Sequence, residues 1–85
     1  MNNTVPLLDI PFATPVIRGH RVTLVRAGAA LWRVTAPDGR VLGHLRAISH
    51  DLGLRYRAER RHPATGAFVG FGEFWSCDDA VAALI

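Results

Sequence analysis

Three turn signals divide the chain into short segments of alternating polarity. They are PDGR at residues 37–40, SHDLG at 49–53 and HPATG at 62–66. Proline followed by Asp-Gly is a strong reversal signal, because proline presets φ and glycine accepts the left-handed conformation. Between the turns the side chains alternate with period two, as on a strand whose faces meet different surroundings. In LWRVTA, Trp32, Val34 and Ala36 share one face and Arg33 and Thr35 the other. VLGHLRAI returns as its partner. In LRYRAERR, Leu54, Tyr56 and Ala58 oppose Arg55, Arg57, Glu59 and Arg61. AFVGFGEFW follows, and upstream HRVTLVRA sets Val22 and Leu24 against Arg21 and Thr23. WRVTAPDGRVLGHL and YRAERRHPATGAFVGF share a pattern of aromatic residue, arginine, turn with glycine and apolar return. The chain therefore reads as similar hairpins in series, an antiparallel meander of three to five strands.

A sheet with one apolar face needs a cover. The C-terminal segment supplies it. Ser76 is placed as an N-cap, with Asp79 three residues on as a shortened capping box. Asp78 and Asp79 fall in the first turn, where the helix dipole favours anions. Ala80, Val81, Leu84 and Ile85 form an apolar stripe at helical spacing. The expected fold is α+β: an antiparallel sheet with one C-terminal α-helix packed on one face. Alternation predicts Trp32, Tyr56, Phe71 and Trp75 as an aromatic floor beneath Ala80, Val81 and Leu84, with Val69 on the same side. Phe68, Gly70, Gly72 and Phe74 then fall on the open face.

Residues 1–17 read differently. Pro6, Pro11 and Pro15 are spaced so that no helix can form. An extended arm is expected there, ordered where Leu7, Leu8, Ile10 and Phe12 find a groove. The expected organisation is this arm, residues 1–17, and a single sheet-plus-helix domain, residues 18–85.

Several function classes find no support. No apolar run approaches the roughly 20 residues of a membrane-spanning helix, and the N-terminus lacks the basic region of a secretory signal. The expectation is a cytoplasmic protein with no membrane partner. Cys77 is the only cysteine, so neither an intramolecular disulfide nor a cysteine zinc site can form. His20, His44, His50 and His62 show no metal-ligand spacing. His50 and Asp51 are adjacent but have no nucleophile with them. The glycines of GFGEF do not open a helix, so they are not a phosphate loop. With no convergent set of titratable groups, a non-enzymatic protein without a cofactor is expected.

Charge carries the functional expectation. All ten basic residues are arginine. Residues 18–61 hold all ten against Asp38, Asp51 and Glu59, a net of +7, whereas residues 62–85 carry −3. A basic zone of this kind is the footprint of a nucleic-acid binder. Arg33, Arg46, Arg55, Arg57 and Arg61 are the candidate contact residues, and duplex DNA is the expected partner, since arginine forks suit guanine edges and phosphates. Gly70 and Gly72 offer gaps for close backbone approach. The same pattern also describes a solvated sheet face, with the glycines marking a bulge. The alternative function is a protein-interaction or regulatory module in which residues 4–17 add along the sheet edge of a partner or a second copy.

The segment RYRAERRHPATGAFVGFGEFWSCDDAVAALI resembles the arm-site DNA-binding domain of tyrosine recombinases and plant AP2 domains. The likeness is carried by Tyr56-Arg57-Ala58, Gly72-Glu73-Phe74 and Asp79-Ala80. It implies three antiparallel strands and one helix, with the open sheet face lying in the major groove. The whole chain, including IPFATPVIRGHRVTLVRAG and GEFWSCDDA, is similar to short arginine-rich proteins of actinobacteria and their phages, some of which carry DNA-repair labels.

Overall fold

The structure is a computed structural model and describes residues 11–85. Among the described residues, strands β1 (Thr23–Gly28), β2 (Leu31–Thr35), β3 (Val41–His50), β4 (Gly53–Arg61) and β5 (Phe68–Phe74) precede a single helix, α1 (Cys77–Ala82). The strands pair antiparallel in sequence order, β1-β2-β3-β4-β5. This is the expected α+β meander, with five strands. Each expected turn forms. In the Asp-Gly turn, Gly39 N–H donates to the Ala36 carbonyl at 2.9 Å and Ala36 N–H to the Arg40 carbonyl at 2.8 Å. The Asp38 carboxylate accepts the Arg40 amide at 2.9 Å and holds the turn from outside.

Period-two alternation selects the buried face. Trp32 and Val34 of β2, Leu45 and Ala47 of β3 and Ala58 of β4 form one cluster with Ala80, Val81 and Leu84. The helix opens as expected: Ser76 Oγ accepts the Asp79 amide at 3.3 Å. Its apolar stripe ends at Leu84, because Ile85 is exposed. Among the described residues no helix is long and apolar enough to cross a membrane.

A six-residue helix is too short to roof five strands, and it packs mainly on β3, β4 and β5. The proline-punctuated segment covers the rest. Phe12 and Ile17 pack against the core. Thr14 Oγ1 accepts the indole N–H of buried Trp32 at 3.0 Å, and Phe12 N–H donates to the Ala29 carbonyl at 2.8 Å. Asp78, at the start of the helix, accepts the Gly19 amide at 2.7 Å and the Arg18 amide at 3.0 Å. Residues 11–17 thus lie against their own sheet. The expectations for residues 1–10, including a groove for Leu7, Leu8 and Ile10 and the first part of the 4–17 docking segment, lie outside the described residues.

Strand β5 corrects one expectation. Its register against β4 runs Arg61↔Phe68, Arg60↔Val69 and Glu59↔Gly70, then slips to Ala58↔Gly72. Phe71 is the extra residue of a bulge, and Gly72 takes φ of 132°, a conformation that strains any residue with a Cβ. Beyond the bulge the parity inverts. Phe74, opposite Tyr56, packs into the core, and Trp75 turns to the open face with half of its surface exposed. The aromatic floor is therefore Trp32, Tyr56 and Phe74. Phe71 stays at the rim, 47% exposed, beneath Arg60.

Candidate nucleic-acid interface

The strand registers bring all five sequence-predicted arginines to the face opposite the helix. Arg33 pairs with His44, His44 with Glu59, Arg46 with Arg57, and Arg55 with Ile48. Arg61, two residues beyond Glu59, lies opposite Phe68. Against Glu59 and Glu73 on the same face, the five guanidinium groups leave this surface at +3.

Arg46 and Arg57 face each other directly across two strands. Like charges so placed repel. Glu59, with a side chain only 8% exposed, resolves the conflict. Its Oε2 lies 3.0 Å from Arg46 Nε and 3.5 Å from Arg57 Nε, and its Oε1 accepts from Arg46 Nη2 at 3.4 Å. A carboxylate held between two guanidinium groups satisfies its lone pairs despite burial. Gly70 makes room for this arrangement. A Cβ there would lie 2.6 Å from Arg57 Nε and Nη2. The gap that the sequence offers to another backbone is filled by the protein's own arginine.

Arg55 is held flat at one end of the face. Its Nη2 donates to the Glu73 carbonyl at 2.7 Å, and its Cζ lies 4.6 Å from the Trp75 ring centroid. The His50 ring stands perpendicular to the same ring, with centroids 5.0 Å apart. At the other end His44 stacks on Phe68, with ring centroids 3.9 Å apart and planes 15° from parallel. Burial lowers the pKa of His44; Glu59 opposes that shift, while Arg33, Arg46 and Arg61 reinforce it. His44 therefore favours the neutral form among these arginines. Arg33 and Arg61 have no carboxylate within ion-pair distance among the described residues.

Reasoning from the sequence missed Trp75 and the His44–Phe68 pair. The signal for Trp75 was available. Glycines at 70 and 72 inside a strand mark a bulge, and a bulge inverts every later face assignment. The remaining arginines divide otherwise: Arg26 and Arg60 lie on the covered face, tied to backbone carbonyls. Cys77 lies beside the Val16 carbonyl, with Sγ at 3.6 Å. Burial raises its pKa, Asp78 adds to the rise, and the thiol stays protonated. That is the opposite of an activated nucleophile. The described residues bring together no group of three or more His, Cys, Asp or Glu side chains that could hold a metal ion.

No protein-family model, curated protein or solved structure matches this chain.

Proposed function

We propose that the protein is a non-enzymatic nucleic-acid-binding module that uses the open face of its sheet. One observation carries the reading: among the described residues, five guanidinium groups and two exposed aromatic rings share a surface that neither the helix nor residues 11–17 cover. Guanidinium groups bind phosphates through paired hydrogen bonds and keep their charge at any physiological pH. Those held against Glu59 or Trp75 are already ordered, so they lose little freedom on binding. Duplex DNA, with its regular phosphate rows, is the partner to test first.

Each phosphate neutralised on duplex DNA releases counterions, and affinity falls with salt accordingly. For three to five contacts, raising salt from about 50 to 200 mM should weaken binding roughly 40- to 500-fold. Fluorescence anisotropy of a labelled duplex at the two concentrations makes the measurement. Absence of binding at low salt, or affinity indifferent to salt, rules the reading out.

A further inference from the structure

A cleft of about 900 Å³ opens at one end of the sheet. Its origin lies in the strand register. The β3–β4 ladder runs from His50↔Gly53 to His44↔Glu59 and stops there. Beyond that pair Val41 and Gly43 stay with β2, whereas Arg60 and Arg61 stay with β5. The two hairpins diverge like the tines of a fork. At its base the backbones come so close that a Cβ on Gly43 would lie 2.3 Å from the Glu59 carbonyl oxygen and 2.9 Å from Leu84 Cδ2. Only glycine fits there, and Leu84 closes the floor.

The lining is chemically one-sided. Arg33, Arg40, Arg60 and Arg61 line the cleft together with the stacked His44–Phe68 pair, and among the described residues no acidic side chain does. Arg40 lies 3.8 Å from Asp38, Arg60 donates to the Leu84 carbonyl, and Arg61 donates through Nε to the Gly66 carbonyl at 3.3 Å. A carbonyl satisfies a donor but leaves the charge, so Arg33, Arg60 and Arg61 are positive charges without a carboxylate partner among the described residues. More than one such charge matches a phosphomonoester, which carries about −1.5 to −2 at neutral pH, better than a singly charged diester. Arginine forks fit its oxygens in pairs. Phe68, 41% exposed, offers a ring on which a base can stack.

From this combination we infer that the cleft binds a nucleoside monophosphate, with the phosphate between Arg33 and Arg61 and the base against Phe68. The group can arrive as a free nucleotide or as the phosphorylated end of a strand, and in either form the site does not depend on the open face binding a duplex.

Calorimetric titration of the full chain with adenosine 5′-monophosphate, adenosine and inorganic phosphate tests the free source. Anisotropy with one short labelled strand, ending in a 5′-phosphate or a 5′-hydroxyl, tests the strand end. The phosphate should tighten binding roughly tenfold or more in at least one arm, as a new charge-assisted contact does. Arg33→Ala should remove that preference, and Arg21→Ala, outside the cleft, should leave it intact. Phe68→Leu should weaken the monophosphate and not inorganic phosphate, with thermal melts confirming that each variant is folded. Equal affinity for phosphorylated and unphosphorylated ligands in both arms overturns the inference, as does a preference that survives in Arg33→Ala. Salt-dependent duplex binding without a phosphate preference leaves the open-face reading standing and removes the cleft; monophosphate binding without any duplex binding does the reverse.

Discussion

Arg26 and Arg60 lie on the covered face of the sheet; Arg33, Arg46, Arg55, Arg57 and Arg61 lie on the open one. On the covered face the guanidinium groups act as staples. Arg26 donates to the carbonyls of Phe12, Gly28 and Ala29 and lies over the Trp32 ring, so it fastens the N-terminal segment and the β1–β2 turn to the core. Arg60 does the same for the end of the helix through the Leu84 carbonyl. On the open face Arg46 and Arg57 are held against Glu59, Arg55 against Trp75 and the Glu73 carbonyl, and Arg61 against the Gly66 carbonyl, while Arg33 and Arg61 have no carboxylate partner among the described residues. The difference teaches that arginine content alone says little about binding. A guanidinium on the covered face that ties separate segments to the core is part of the fold. One held at the surface beside others like it is available to an anion.

The largest expected effect comes from breaking the covered face. Trp32 is fully buried and joins the core, the N-terminal segment and Arg26 in one place. Trp32→Ala should cost about 3–5 kcal/mol, the usual range for emptying a large aromatic site. A small domain holds about 5–15 kcal/mol in total, so a urea or thermal melt followed by circular dichroism should move far or vanish. A melt close to the parent's would mean that the segment 11–17 and the helix do not depend on this residue, and the two-faced description would fail.

The sheet order, the turns, the buried faces of β2 and β4 and the N-cap were all legible in the sequence. Each of these rests on local chemistry: proline and glycine in turns, period two in strands, serine before a helix. What was not legible involves distant partners. Nothing near Thr14 says that it will accept the indole N–H of Trp32, nothing near Phe12 that it will bond to Ala29, and nothing near Asp78 that it will hold the amides of Arg18 and Gly19. The face of Trp75 depended on one extra residue at Phe71. Arg33, Arg55, Arg57 and Arg61 followed directly from alternation, whereas the place of Arg46 on the same face comes from the β2–β3 and β3–β4 registers. The pairing of Arg46 and Arg57 with Glu59 did not follow from alternation, because it requires the β3–β4 register, which hydrophobic pattern and turn geometry fix only together.

A smaller effect, of opposite sign in two assays, is expected at Glu59. Glu59→Gln removes the carboxylate that separates Arg46 from Arg57. Breaking a buried pair usually costs about 3–5 kcal/mol. Here both arginine side chains are more than 40% exposed and can regain water, so about 1–2 kcal/mol is expected. The same change adds one net positive charge to the open face, and affinity for DNA at low salt should rise severalfold. Lower stability with tighter binding would separate the structural role of Glu59 from the surface that it organises. Unchanged binding by a folded Glu59→Gln protein would show that the open face is not the interface.

The smallest expected effect is the sharpest test of the division between stapled and available arginines. Arg33 is exposed on β2, opposite His44, and has no carboxylate partner among the described residues. Its truncation removes no buried contact, so Arg33→Ala should change stability by less than about 0.5 kcal/mol, as surface substitutions usually do. Its charge should still count toward a polyanion. Loss of one phosphate contact should weaken DNA binding across sequences and reduce the salt slope by about one. Arg26→Ala provides the contrast within the same sheet, because it removes a staple and leaves the open face untouched. If Arg33→Ala destabilises the fold as much as Arg26→Ala, or leaves the salt slope unchanged, then position on the sheet does not decide what an arginine does in this protein, and the open face loses its claim to be a binding surface.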